Sequence, residues 1–474
     1  MRSSSASMKW VLLLPIAMAT LSFLTSAQEV QPFPHQPHSL DHLLNKLLQW
    51  RQQLRSSQEK ELKVDLHTIT AAALCFASAS ISSAGGVGGG ALFLPILNLV
   101  AGLSLKTATT LSAFMVTGGA VSNVLYNVLF KGGAGLGGQP LVDYDIALLS
   151  EPCMLLGVTA GVVCNVVFPE WLVTLLFAAL LAWSTFKTCR AGAQFWKEES
   201  ETAGRGDQCQ LGFAQKRNGA ADVGEGEMGM EKPLLGGRGG AARGLPLKKV
   251  IVLVIIWLCF FLVQFLRGDK DGKGLIQIRR CGVGYWLITS SQVPLALLFT
   301  AYVFYGEGIQ QGQHISQEDD LEVPVPQRRT KDLPNIKFPV AALLSGMLGG
   351  LFGIGGGLLI NPFLLQVGLP PQVTAATSCF MVLFASSMSA FQYLMLGMKG
   401  TRQALILAVG CSVASLAGII IIQRAVEKYG RASLIIFTVS MVMVLSTVSI
   451  TCFGVIDVLR DYMYGRDMGF KLPC

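Results

Sequence analysis

The sequence predicts an all-α, multi-pass membrane protein made of two related four-helix units. Each unit opens with a broken helical segment, and two further spans link them. Three observations carry that expectation. First, 66 of 474 residues are formally charged (37 Lys+Arg, 29 Asp+Glu), or 14%, while 51% are apolar and mean hydropathy is +0.52. A typical soluble domain is about 25% charged, so the chain lacks the charge to cover a water-soluble globule of this length. Second, ten stretches are apolar enough to enter a bilayer, which a helix crosses in about 20 mostly apolar residues. Third, the first four of these stretches recur in order as the last four.

Residues 1–27 combine a basic start (Arg2, Lys9), an apolar core from Trp10 to Leu24 and a small-residue end at Thr25, Ser26 and Ala27, the pattern of a signal peptide cleaved near Ala27. In the 28–64 segment, Leu40, Leu43, Leu44, Leu47, Leu48 and Leu54 recur at three- and four-residue spacing between polar residues, giving an amphipathic helix too polar to cross and placed outside the cytosol. The first repeat, 65–190, holds a glycine-interrupted stretch at 66–104 and spans at 107–130, 142–167 and 171–190. Residues 191–248 lose the apolar periodicity and read as a flexible hydrophilic loop. Two linking spans follow at 249–266 and 284–305, within 249–305, and then a polar linker at 306–337. The second repeat, 338–456, places a glycine-interrupted stretch at 338–369 and spans at 370–397, 402–423 and 433–456, before a tail at 457–474.

The net charge of +8 sits mostly in connectors between apolar stretches, where membrane proteins carry it, so nucleic acid is excluded as a partner and the lipid bilayer takes its place. Cys75, Cys153, Cys164, Cys259, Cys379, Cys411 and Cys452 fall inside apolar stretches without a C-x-x-C pair, as small packing residues do. His35, His38 and His42 lack an acidic or cysteine partner, so no metal site and no cofactor are expected.

The repeat is read directly from the residues. Gly86-Val87-Gly88-Gly89-Gly90-Ala91-Leu92-Phe93-Leu94-Pro95 matches Gly353-Ile354-Gly355-Gly356-Gly357-Leu358-Leu359-Ile360-Asn361-Pro362. After a one-residue gap, Gly102-Leu103 matches Gly368-Leu369, and Ser112-Ala113-Phe114-Met115-Val116 matches Ser378-Cys379-Phe380-Met381-Val382.

These G-x-G-G-G-x-x-x-x-P segments and the S-x-F-M-V helix after each resemble the sulfite exporter TauE/SafE family, also known as the 4-toluene sulfonate uptake permeases. The resemblance covers about 66–190 and 338–456. The signal peptide, amphipathic segment and long central loop look like its plant branch. The resemblance implies a secondary transporter whose partner is a small sulfur-containing anion: sulfite, a sulfonate or a related oxyanion.

Charge placement bears on orientation. If each glycine-broken segment enters the membrane twice, the repeats are inverted. Lys131, the central connector and the 424–431 connector (Arg424, Lys428, Arg431) then face the cytosol. From Lys187 to Lys249 that central connector holds eleven Lys+Arg against eight Asp+Glu. The excess of basic residues on cytosolic loops favours inversion, although Arg267, Lys270, Lys273, Arg279 and Arg280 would face outward.

The glycines suggest the chemistry. Within hydrocarbon every backbone polar group must be satisfied, so Gly86, Gly88, Gly89 and Gly90, and likewise Gly353, Gly355, Gly356 and Gly357, fit a helix that opens into a protein-lined space. The half-helix that restarts there presents unpaired N–H groups and its positive dipole end, suited to an anion. Close helix packing through small residues is the alternative. Ser112, its repeat partner Ser378, and Asn123 are the polar groups on the following helices that could complete such a site, or bond helix to helix. Glu151 is the tenth residue of the third span, about 13 Å along it. An ionisable group at that depth is expensive and usually functional, which points to protons as the coupling ion; a lysine-paired acid near the interface is the alternative.

Catalysis lacks its parts: no G-x-S-x-G elbow occurs in a span and all five histidines lie outside the spans or at an edge, so an enzyme is not expected. A non-transporting receptor or scaffold, with the central loop or N-terminal helix holding a protein partner, is the competing reading.

Overall fold

The computed structural model describes residues 66–83, 89–129, 141–217, 247–267, 282–315, 337–397, 400–429, 440–441, 443–451, 454 and 469. The signal peptide, the amphipathic segment, Gly86 and Gly88 lie outside them. Among the described residues the regular structure is helical: α1 (Leu66–Ser83), α2 (Gly90–Leu99), α3 (Leu105–Leu129), α4 (Tyr144–Val167), α5 (Glu170–Arg217), α6 (Leu247–Arg267), α7 (Val283–Ser290), α8 (Gln292–Ile315), α9 (Lys337–Phe352), α10 (Gly357–Gln366), α11 (Pro371–Met395) and α12 (Thr401–Tyr429). Further helical residues follow at 440–441 and 443–451. Among the described residues, seven helical stretches are long and apolar enough to span a bilayer, whereas 68–83, 90–99, 337–352 and 357–366 are shorter. The chain is an integral, multi-pass membrane protein.

One boundary read from the sequence is corrected. Residues 191–217 continue α5 as helix and do not open the loop at 191. Loss of apolar residues ends a membrane span, but helix propensity ends a helix. Ala, Gln, Lys and Glu, which recur through this stretch, are good helix formers in water. The second linking span is interrupted at Ser291, between α7 and α8.

The opening helix of each half packs on the fourth helix of the other. Gly157, Gly161, Gly346 and Gly350 let α4 and α9 touch backbone to backbone: a Cβ on Gly161 would lie 2.0 Å from the Met347 carbonyl oxygen, and one on Gly346 2.0 Å from that of Met154. The mirror contact joins α12 to α1, where a Cβ on Gly418 would lie 2.0 Å from the Ser80 carbonyl oxygen. Ser80 and Ser83 donate to the Ala414 and Ser415 carbonyls across the same pair. Small residues at such crossings replace the hydrophobic drive that lipid cannot supply.

The contacts also give helix directions. Gly157, Gly161 and Asn165 meet Leu343, Met347 and Leu351 in turn, so α4 and α9 run together. Thr377 meets Asp143 and Gln392 meets Thr159, so α11 runs with them. The α3–α11 crossing goes the other way: Val116 and Val382 flank Gly355, while further along α3 Asn123 meets Cys379, earlier on α11. Finally, α9 and α10 form an antiparallel hairpin. Ser345 and Gly349 sit against Gly356, and the Phe338 and Phe363 rings meet edge to face at 5.4 Å. With 16 and 10 residues, its arms are about 24 and 15 Å long, so the hairpin enters the bundle and turns back.

Candidate functional site

The hairpin tip is the centre of the candidate site. Gly353, Gly355 and Gly356 have φ of 64°, 69° and 81°, left-handed values that L side chains adopt at a cost of roughly 1–2 kcal/mol. Space forbids side chains as well. A Cβ on Gly355 would lie 2.8 Å from Val382 Cγ1 and 3.0 Å from Val116 Cγ1, two valines at equivalent places in the repeat. The tip therefore lies where α3 and α11 cross.

Each half-helix begins in the same way. Gly89 (φ 78°, ψ −15°) and Gly356 (φ 81°, ψ −9°) precede α2 and α10 as left-handed N-caps without a side-chain cap. The Leu92 and Phe93 N–H groups donate to the Gly89 carbonyl, and those of Leu359 and Ile360 to the Gly356 carbonyl. The first-turn N–H groups of Gly90 and Ala91, and of Gly357 and Leu358, are left without an intrahelical acceptor. A helix start carries about half a positive charge. The two starts converge: a Cβ on Gly90 would lie 2.6 Å from Ile354 Cα. Gly89, Gly90, Gly353, Gly355, Gly356 and Gly357 are thus brought into one region.

Ser112 joins it directly, its hydroxyl donating to the Gly353 carbonyl at 2.9 Å. Ser378 is fully buried on α11, one turn before Val382. Asn123 is drawn elsewhere: the Ser83 hydroxyl donates to its Oδ1, and its amide nitrogen lies 3.6 Å from Cys379 Sγ. Glu151 is 0% exposed, and neither carboxylate oxygen has a hydrogen-bond partner among the described residues.

Two residues of a neighbouring network, Gln264 and Thr159, escaped the sequence reading. Gln264 from linking helix α6 and Gln392 from α11 both donate to the Thr159 hydroxyl on α4, each at 3.0 Å, and Arg267 donates to Gln264. Gln264 is an isolated polar residue in an apolar span, a visible signal; its meeting with Gln392 is a long-range contact that spacing does not encode.

Broken half-helices meeting inside a multi-pass helical bundle define the architecture of a membrane transporter. The sulfite exporter TauE/SafE family model matches residues 2–205 and 338–451, and the chain belongs to that family. It is similar to the Arabidopsis thaliana sulfite exporter TauE/SafE family protein 5, 48% identical over 98% of this chain and 100% of the relative. Family protein 2 of the same plant is 48% identical over 97% of this chain and 99% of its own length, and family protein 6 is 39% identical over 91% and 92%. No solved structure matches the chain.

Proposed function

We propose that this protein is a secondary transporter of sulfur-containing anions, holding its substrate at the paired half-helix starts of α2 and α10. The observation that carries the reading is the approach of Gly90 to Ile354, which brings two uncapped, positively polarised helix starts together within the bundle. Ser112 and Ser378 border the region, and Glu151 is the proton-coupling carboxyl. Inverted repeats complete the proposal. The opposite senses of α3 and α11 and the exchange of contacts between α4–α9 and α12–α1 support it, and the basic connectors agree.

The test is flux. Vesicles containing the purified protein should take up sulfite, sulfate or a sulfonate faster than empty vesicles, and Ser112→Ala should slow that uptake about fivefold, the equivalent of one lost hydrogen bond near 1 kcal/mol. Folded protein that moves none of these anions, while its central loop captures a protein partner, overturns the transport reading in favour of a scaffold.

A further inference from the structure

Glu151 shares a face of α4 with Leu155, Val158 and Val162, all 0% exposed. That face looks into the bundle, because a Cβ on Gly350 of α9 would lie 2.3 Å from the Val158 carbonyl oxygen. Glu151 also precedes Met154 by three residues, one step along the same side of the helix. The Met154 methyl lies 2.7 Å from where a Gly356 Cβ would stand, and Gly356 is the N-cap of α10. A buried carboxyl with both oxygens unpartnered therefore stands one helical turn from the residue that touches the positive end of a half-helix.

The other half has no equivalent. Gly161 against Met347 corresponds to Gly418 against Ser80, and this register puts Ala408 where Glu151 stands. We infer that Glu151 and the transported anion compete for the N-terminus of α10, so that each anion bound is accompanied by one proton taken up on the Glu151 carboxylate, and that the α2 start lacks this coupling. The inference rests on the anion-transport reading above. When the site is empty, the ionised carboxylate gains only from the field of the positive α10 start one turn away, without a hydrogen bond to it. An arriving anion neutralises that helix start, leaving a buried charge with no counter-charge, and the carboxylate becomes a neutral acid by binding a proton from solvent.

Among the described residues no rival acid lies beside it. On α4, Asp145 is paired with Lys249 of α6, and Tyr144, Cys153 and Cys164 are the other titratable groups. α9 brings Lys337, nine residues before Gly346 and so about 14 Å along that helix from the Met154 contact. α10 brings none. α11 brings Cys379 and Tyr393, the latter donating to the Gly350 carbonyl. α6 adds Lys248, Cys259 and Arg267, and α8 adds Tyr302, Tyr305, Glu307 and His314, of which Glu307 lies seven residues, about 10 Å along the helix, beyond the Thr300 that meets Cys153.

The measurement is proton uptake on anion binding by the full-length protein in weakly buffered detergent solution. Methanesulfonate and sulfate serve as probes, since neither titrates near neutral pH. The expected result is one proton taken up per anion bound, with apparent affinity falling up to about tenfold per pH unit in the range where Glu151 ionises in the empty protein. Glu151→Gln should bind either probe with no proton uptake and no pH dependence, and Glu151→Asp, which keeps the acid, should retain both. Anion binding without proton uptake in the unmodified protein, or uptake undiminished in Glu151→Gln, overturns the coupling and leaves the transport reading standing. Failure of both probes to bind at any pH overturns the two together.

Discussion

Gly161 and Gly368 are required for different reasons, and the difference is measurable. A methyl at Gly161 would press on the Met347 carbonyl of a facing helix, whereas Gly368 has open space but φ of +91°. Gly161→Ala should cost about 3 kcal/mol through overpacking of two backbones that cannot part locally. Gly368→Ala should cost about 1 kcal/mol, the strain of a left-handed alanine. Thermal melting in detergent distinguishes them; equal losses would contradict the α4–α9 contact. Both glycines are visible in the sequence, but which of them faces another backbone is not, because the neighbour lies far along the chain. Asn123 shows another case: its polarity allows either a ligand contact or a bond between helices, and in the fold it is engaged by Ser83 and lies beside Cys379.

At the level of elements, the α9–α10 hairpin fixes where chain ends emerge. Lys337 begins α9 and Gln372 lies in the first turn of α11. In a background with the native cysteines replaced, Lys337→Cys and Gln372→Cys should react with a membrane-impermeant maleimide from the same side. Labelling from opposite sides would mean a full crossing and would refute the hairpin. The linking helix α6 is similarly more than a tether. Since Gln264 and Gln392 share the Thr159 hydroxyl, Gln264→Leu and Gln392→Leu should be non-additive by about 0.5–3 kcal/mol in a double-mutant cycle on stability. Simple additivity would show that the shared hydroxyl does not couple them. The glycine runs mark the breaks in advance, since a helix opening inside lipid needs them. The fold-back follows from Phe338 meeting Phe363 and Ser345 meeting Gly356, pairings that no periodicity announces.

Across the whole molecule, opposite orientation of the halves has a direct consequence. Ser104 and Gln372 stand at equivalent ends of α3 and α11, so Ser104→Cys and Gln372→Cys should be labelled from opposite sides of the membrane. Labelling from one side would require parallel repeats. The four-plus-two-plus-four layout, the membrane setting and the duplication follow from the sequence alone, because long apolar stretches have one stable environment and a repeated glycine–proline signature survives without structural context. Tertiary structure decided which surfaces meet: each half's opening helix on the fourth helix of the other, two half-helix starts at one crossing, and Glu151 one turn from the Met154 contact with one start, while Ala408 occupies the matching place in the other half. Those relations depend on helix direction and register between segments about 190 to 340 residues apart, and local spacing carries no information about either.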